Sequence, residues 1–272
     1  MTLRLERVRR QGPFRVMLWP LEVRPDCACF EEMRARPRPQ FFVCKEPRNE
    51  SALLESARRA LEAARQNEVT ILVLPELAFT PAMLVQTQRW LSGGGLDASP
   101  VLTLVGLCHA PLNDMDAKEA DLHINEAVLL GPDGRELLRH RKLTRYSEGQ
   151  AEEACSERTK IGDTLQVLET PIGNLAILIC LDLHAEHSET RVEASHANLL
   201  LSPSLSSSVS AHENAAQSLL ASQLAGTFVC NWTPPGCERR AAPSLYRVPR
   251  KVASLERHDP DGGPYLLFSL DS

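Results

Sequence analysis

Three segments carry residue types that could do chemistry together. In Leu175-Ala-Ile-Leu-Ile-Cys-Leu-Asp-Leu183 a cysteine closes an apolar, strand-like run, with an aspartate two residues on. Such a cysteine is ordinarily a small buried hydrophobe. As a nucleophile, Cys180 would need a base and a cation close by to gain thiolate character. In Ile71-Leu-Val-Leu-Pro-Glu-Leu-Ala-Phe-Thr80, Glu76 follows a buried run and a proline. That places it at the carboxyl end of a strand, where α/β proteins build their sites, although a glutamate there could equally cap the next helix. In Leu138-Arg-His-Arg-Lys-Leu-Thr-Arg-Tyr146, basic residues crowd around Lys142, a pattern that alone reads as a solvated face. Together, a thiol, a carboxylate and an ammonium would supply a nucleophile, a proton carrier and a charge for a developing oxyanion.

Other chemistries find no motif. The chain has no Gly-x-Ser-x-Gly elbow, no Gly-x-Gly-x-x-Gly loop and no Walker loop. His184 and His187, with Glu186 between them, lack a third ligand and read as a surface pair at a helix start. A Cys180–His184 dyad would need both groups of one short element to reach one substrate atom. The eight cysteines include no Cys-x-x-Cys, and Cys27-x-Cys29 is too tight for a zinc knuckle, so they read as free thiols. Neither a metal nor an organic cofactor is implied.

The elements that must position these segments follow from periodicity. Phe14 to Trp19 reads as a strand, and the Pro- and Arg-rich stretch 25–48 as a loop or extended insertion, because proline blocks helix interiors and central strands. Glu50 to Gln66 is an amphipathic helix with Leu54, Ala57, Leu61 and Ala64 on one face. A strand over Val69 to Leu74 and a helix over Ala82 to Leu91 follow, the latter stopped by glycines at 93–95. Val101 to Cys108, His123 to Leu130 and Glu136 to Arg141 are strands, the last two joined by the Gly-Pro-Asp-Gly turn at 131–134. Strands Leu165 to Glu169 and Leu175 to Cys180 lead to helix His187 to Ala194, strand Ala197 to Ser202, helix Ala211 to Ala225 and strand Thr227 to Asn231. The serines at 202–210 read as a loop, and the tail holds at most two more strands. This alternation predicts a mixed sheet architecture covered by helices.

Composition is that of an ordinary globular chain: 272 residues, 43% hydrophobic, 24% charged, net charge −5. No global basic field recruits nucleic acid or an anionic membrane, and no apolar run approaches a membrane span. The start, Met-Thr-Leu-Arg-Leu-Glu-Arg, is too charged for a signal peptide core, so a cytoplasmic location is expected.

Pro-Glu-Leu-Ala-Phe-Thr, Arg-Lys-Leu and Ile-Cys-Leu-Asp, in that order, resemble the three signature segments of the nitrilase/amidase (carbon-nitrogen hydrolase) superfamily. Leu199-Leu-Leu-Ser-Pro-Ser and Gln217 to Asn231 resemble its later strands and helix. Leu181 stands where an aromatic is frequent, and Gln-Leu-Ala-Gly replaces the usual late-helix pattern, marking a divergent member. The resemblance implies an α-β-β-α sandwich spanning 1–272 as one domain, with Glu76, Lys142 and Cys180 as catalytic residues. It implies a thioester on Cys180 and an oxyanion held by Lys142 and the backbone N–H of Leu181. It also implies a second glutamate that positions substrate or lysine, here Glu148, with Glu152 and Glu153 as alternatives. Leu181-Asp182 in place of Trp-Glu resembles the branches that cleave linear amides or carbamoyl compounds rather than nitriles. Self-association as a homodimer or higher oligomer through the helices His187 to Ala194 and Ala211 to Ala225 is expected. The other class of reading is a catalytically silent or partner-activated subunit of a larger assembly, with the 25–48 stretch as an added interface for a protein partner.

Overall fold

The computed structural model describes residues 14–21, 28–34, 40–47, 50–93, 100–112, 122–148, 155–206, 208–232, 244–248, 252–258 and 265–270. Two large sheets form its centre. The first has seven strands, in the order β17-β18-β1-β4-β5-β8-β9. These are β1 (Phe14–Leu18), β4 (Ile71–Val73), β5 (Leu102–Gly106), β8 (Glu126–Leu130), β9 (Glu136–Arg141), β17 (Val252–His258) and β18 (Tyr265–Leu270). β1, β4 and β5 run parallel, and the remaining pairings are antiparallel. The second sheet, β12-β13-β14-β15-β16, consists of β12 (Val167–Thr170), β13 (Gly173–Ile177), β14 (Leu199–Ser204), β15 (Gly226–Asn231) and β16 (Ser244–Arg247).

The two-residue period of a strand sorts its side chains between layers. From the first sheet Val16, Leu18, Ile71, Val73, Leu102 and Leu104 meet Leu175, Ile177, Leu199, Leu201 and Phe228 of the second in one buried cluster. The alternate residues face outward. Met17, Leu72, Val105 and Val128 pack under α1 (Glu50–Gln66) and α2 (Pro81–Gly93). Ala176, Leu178, Leu200 and Val229 pack under α3 (Ser188–Ser195) and α4 (Ser210–Gln223). The result is the expected α-β-β-α sandwich. Helix α1 buries Leu53, Ala57, Ala60, Leu61 and Ala64, so the apolar face is rotated slightly from the Leu54-centred reading. In α4 the small residue Ala216 faces the sheet rather than lining an outer surface. Among the described residues no helix is long and apolar enough to cross a membrane.

Three sequence expectations change. Within 25–48 the chain forms two strands rather than a loop, β2 (Ala28–Arg34) and β3 (Gln40–Pro47), paired antiparallel. Phe41-Phe42-Val43 supplies strand-forming residues, and the proline at 47 falls at a strand end, where its missing N–H is tolerated. β3 also pairs parallel with β11 (Cys155–Glu157), which is joined antiparallel to β10 (Ser147–Glu148). A further small pair links β6 (Ala110–Pro111) and β7 (His123–Ile124). The tail holds three strands, β16, β17 and β18, rather than two, because the polar β17 has no apolar run to announce it. Finally, Ser202 and Ser204 belong to β14 and are fully buried, so the loop begins later than the serine content implied.

Gly106 closes β5 where the Pro75–Glu76 turn crosses it. A Cβ at this position would lie 2.5 Å from Glu76 Cα and 2.5 Å from the Pro75 carbonyl oxygen. Both obstructing atoms are backbone, so the turn itself would have to move. Gly106→Ala is expected to lower unfolding free energy by about 1–3 kcal/mol, the usual cost of overpacking, read from the urea midpoint at an unchanged slope. An unchanged midpoint would contradict this close approach.

Candidate active site

Both turns that deliver the key side chains run through left-handed backbone. Leu77, directly after Glu76, has φ +55°, and Cys180 has φ +49°. Non-glycine residues visit this region rarely, and such conformations concentrate at functional sites. The sequence reading had Cys180 closing a strand. Instead β13 ends at Ile177, and Cys180 opens a 3-10 turn, Cys180–His184. Glu76 leaves β4 through Pro75, Lys142 directly follows β9, and the Leu205 loop follows β14. All three segments therefore arrive from strand ends of the two facing sheets.

These ends converge on one buried polar cluster. The Lys142 ammonium donates to Glu76 Oε1 at 2.9 Å and to Glu157 Oε1 at 3.0 Å. Asn125 Nδ2 bridges the same two oxygens at 2.8 and 3.2 Å. The second oxygen of Glu76 accepts the Leu205 N–H at 3.0 Å, while the Leu205 carbonyl faces the Cys180 sulfur at 4.0 Å. One peptide segment thus holds the carboxylate and borders the thiol. Glu76, Lys142, Glu157, Asn125 and Cys180 are all buried.

Burial and charge set the protonation states. Burial pushes the Cys180 thiol up; the Glu76 carboxylate adds to this, and Lys142 only partly opposes it. Both effects favour the protonated thiol over a thiolate beside the Glu76 carboxylate. Burial also disfavours the Lys142 charge, yet Glu76 and Glu157 outweigh it and hold its pKa above the usual lysine value. For Glu157 burial is again opposed, here by Lys142, His109 and the Tyr146 N–H, leaving its pKa at about 2. The cluster is two carboxylates around one ammonium.

Of the residues singled out from sequence, the structure brings Glu76, Lys142 and Cys180 together. Leu181 is half-buried in the 3-10 turn beside the sulfur. Glu148 ends β10, but its side chain lies outside the described residues, as do Glu152 and Glu153. The second carboxylate that meets Lys142, beside Glu76, is Glu157, which sequence reasoning did not single out. Its signal was faint: the pairing of β11 with β3 that turns it inward joins segments far apart in sequence. His184 stacks edge-on against the buried His212 at 4.9 Å between ring centres. Among the described residues no group of three or more His, Cys, Asp or Glu side chains is placed to hold a metal ion.

Residues 40–245 match the family described as carbon-nitrogen hydrolase, more than half of the chain. The chain belongs to that family, and it is a divergent member. No curated protein matches it in sequence. Among solved structures it is similar to a mutant of the amidase from Nesterenkonia sp. AN1 that carries the acetamide moiety of fluoroacetamide on its active-site cysteine. That likeness has a TM-score of 0.64 at 16% identity and covers 96% of this chain and 91% of that one. A crystal structure of an amidase from Nesterenkonia sp. matches with a TM-score of 0.63 at 16% identity, over 96% and 91% of the two chains. A further mutant of the AN1 amidase, described as of the nitrilase superfamily, gives 0.63 at 16%, over 96% and 93%. At such identity these likenesses speak for the fold.

Asp182 locks the cysteine turn to the lysine strand. It is fully buried, and its carboxylate accepts the Leu143 N–H at 3.0 Å and the Ile179 N–H at 3.2 Å. Burial raises its pKa to about 6, against the pull of the Leu143 N–H and of Lys142. Asp182→Asn turns one acceptor into a donor facing backbone N–H groups. Leaving one such group unsatisfied costs about 1–3 kcal/mol, so D182N should lose that much in denaturant unfolding at pH 7. A loss under a few tenths would show that the aspartate does not hold the turn.

Proposed function

We propose that this carbon–nitrogen hydrolase cleaves a small linear amide or carbamoyl compound through a thioester on Cys180, with Glu76 and Lys142 as its catalytic partners. The observation that carries the reading is the position of Glu76, bound to Lys142 and, through the Leu205 loop, set beside the neutral Cys180 thiol. Glu76 takes the thiol proton as sulfur attacks the carbonyl carbon. The carbonyl oxygen becomes an oxyanion, stabilised by the Lys142 ammonium and the backbone N–H of Leu181. Collapse of the tetrahedral intermediate breaks the C–N bond, and Glu76 returns its proton to the departing nitrogen, releasing ammonia or an amine. Glu76 then takes a proton from water as the water attacks the thioester. Collapse of that second intermediate frees the acid and restores the thiol. Glu157 keeps Lys142 in place and shares its charge, so that Glu76 is not fully neutralised by the lysine.

The preference for amides over nitriles rests on the Leu181-Asp182 pair and on the likeness to amidase structures. Self-association through the α3 and α4 surfaces belongs to the same proposal and is separable from the chemistry.

Short amides, ω-amides, carbamoyl compounds and nitriles presented to the purified protein should show turnover of an amide or carbamoyl class. Cys180→Ala should reduce that turnover to background. Lys142→Met should lower kcat/KM by about 100- to 1000-fold, the usual loss for one oxyanion donor. Nitrile turnover above amide turnover would overturn the substrate class, and activity surviving in C180A would overturn the mechanism.

A further inference from the structure

His109 is fully enclosed, immediately outside the cluster just described. It lies in the chain between β5 and β6, and its two ring nitrogens have different surroundings. Nδ1 accepts the backbone N–H of Cys44, in β3, at 2.9 Å. An accepting Nδ1 cannot carry the proton, so a neutral ring carries it on Nε2. Nε2 stands 3.5 Å from Glu157 Oε1, the oxygen that also receives Lys142 and Asn125. It has no closer partner among the described residues. A buried N–H with one available acceptor in this direction has one interaction to make.

β3 serves both ends of this contact. Its pairing with β11 sets Glu157 opposite Phe42, and two residues further along the Cys44 N–H fixes the imidazole. The Cys44 carbonyl also accepts the His109 N–H at 2.8 Å. One strand therefore fixes where Glu157 sits and which tautomer His109 presents to it.

We propose that His109 is a positioning residue for the hydrolysis: its Nε2–H donates to Glu157 and keeps that carboxylate on Lys142, so that the ammonium stays shared between Glu157 and Glu76. The inference rests on the Glu76–Lys142–Cys180 reading above. Without the His109 donor Glu157 binds its proton more readily and holds the lysine less firmly. Lys142 then pairs with Glu76 alone, which weakens Glu76 as a base.

The two ring nitrogens can be separated by substitution. Asparagine places its oxygen near the position of Nδ1 and keeps the Cys44 contact, but it does not reach Glu157. Glutamine reaches the position of Nε2 and keeps a donor to Glu157, but it gives up the Nδ1 acceptor. H109N is therefore expected to melt close to wild type while kcat falls about tenfold or more and KM changes less than about threefold. The acid limb of its kcat profile should move to higher pH, because Glu157 then takes up its proton, and loses its hold on Lys142, at a higher pH. H109Q should melt lower, yet keep kcat within about threefold of wild type and the wild-type acid limb. The opposite ranking, H109Q impaired and H109N unimpaired, would assign His109 to the fold alone and overturn the proposal. So would an H109N acid limb and kcat identical to wild type. Labelling of Cys180 by iodoacetamide across pH, with C180A as blank, separates this failure from that of the proposed function. If wild type labels at Cys180 but turns over no amide, the reaction class fails. The His109 proposal then stands or falls on whether H109N moves the acid limb of labelling.

Discussion

A single buried ammonium held between two carboxylates organises this molecule. Lys142 lies where water cannot screen it, and a lone charge there would cost several kcal/mol. Glu76 and Glu157 meet that cost together, and each is in turn held by N–H donors: Leu205 on Glu76, Tyr146 and Asn125 on Glu157. The charge count is what matters for chemistry. With one carboxylate the charges of the pair would cancel. With two, negative charge is left over beside the thiol, so that in the proposed reaction a proton moves to Glu76 while Lys142 stays charged for an oxyanion.

The sandwich exists at this site to bring separate strand ends to one point. Glu76 and Lys142 come from the seven-stranded sheet, while Cys180 and the Leu205 loop come from the five-stranded one. The inter-sheet core of Val16, Ile71, Leu104, Ile177 and Leu201 fixes the distance between those ends. Asp182 adds a direct tie between them, joining the cysteine turn to Leu143. The positive φ values at Leu77 and Cys180 show the backbone held in conformations that only surrounding packing sustains. Gly106 admits the first of these turns by having no side chain.

Elements with strong internal periodicity were legible from sequence. The helix read over Glu50 to Gln66 has those same limits in the structure, because its apolar spacing is local and unambiguous. The order of Glu76, Lys142 and Cys180 was legible because each sits in a short segment of distinctive composition. What sequence concealed was non-local. β3 lies in a stretch whose prolines argue for a loop, and its pairing with β2 on one side and the distant β11 on the other makes it a strand. Glu157 and His109 are separated by 48 positions in sequence, and each is unremarkable in its own segment. β3 gives both a role, and no periodicity reports it. The cysteine turn is hidden for a local reason: Leu178 and Ile179 continue the apolar pattern past the end of β13 at Ile177.

The shared charge can be read directly from the ionisation of Cys180. Thiolate absorbance near 240 nm, taken as the difference between wild type and Cys180→Ala across pH, isolates this sulfur from the other cysteines. Because burial and the Glu76 carboxylate both hold the proton on sulfur while Lys142 only partly opposes them, the thiol should remain un-ionised through pH 9. Glu76→Gln, which removes the nearest negative charge, should shift its ionisation to lower pH. A wild-type sulfur already ionised at pH 7, or one whose titration is unmoved by Glu76→Gln, would contradict a neutral thiol beside the Glu76 carboxylate.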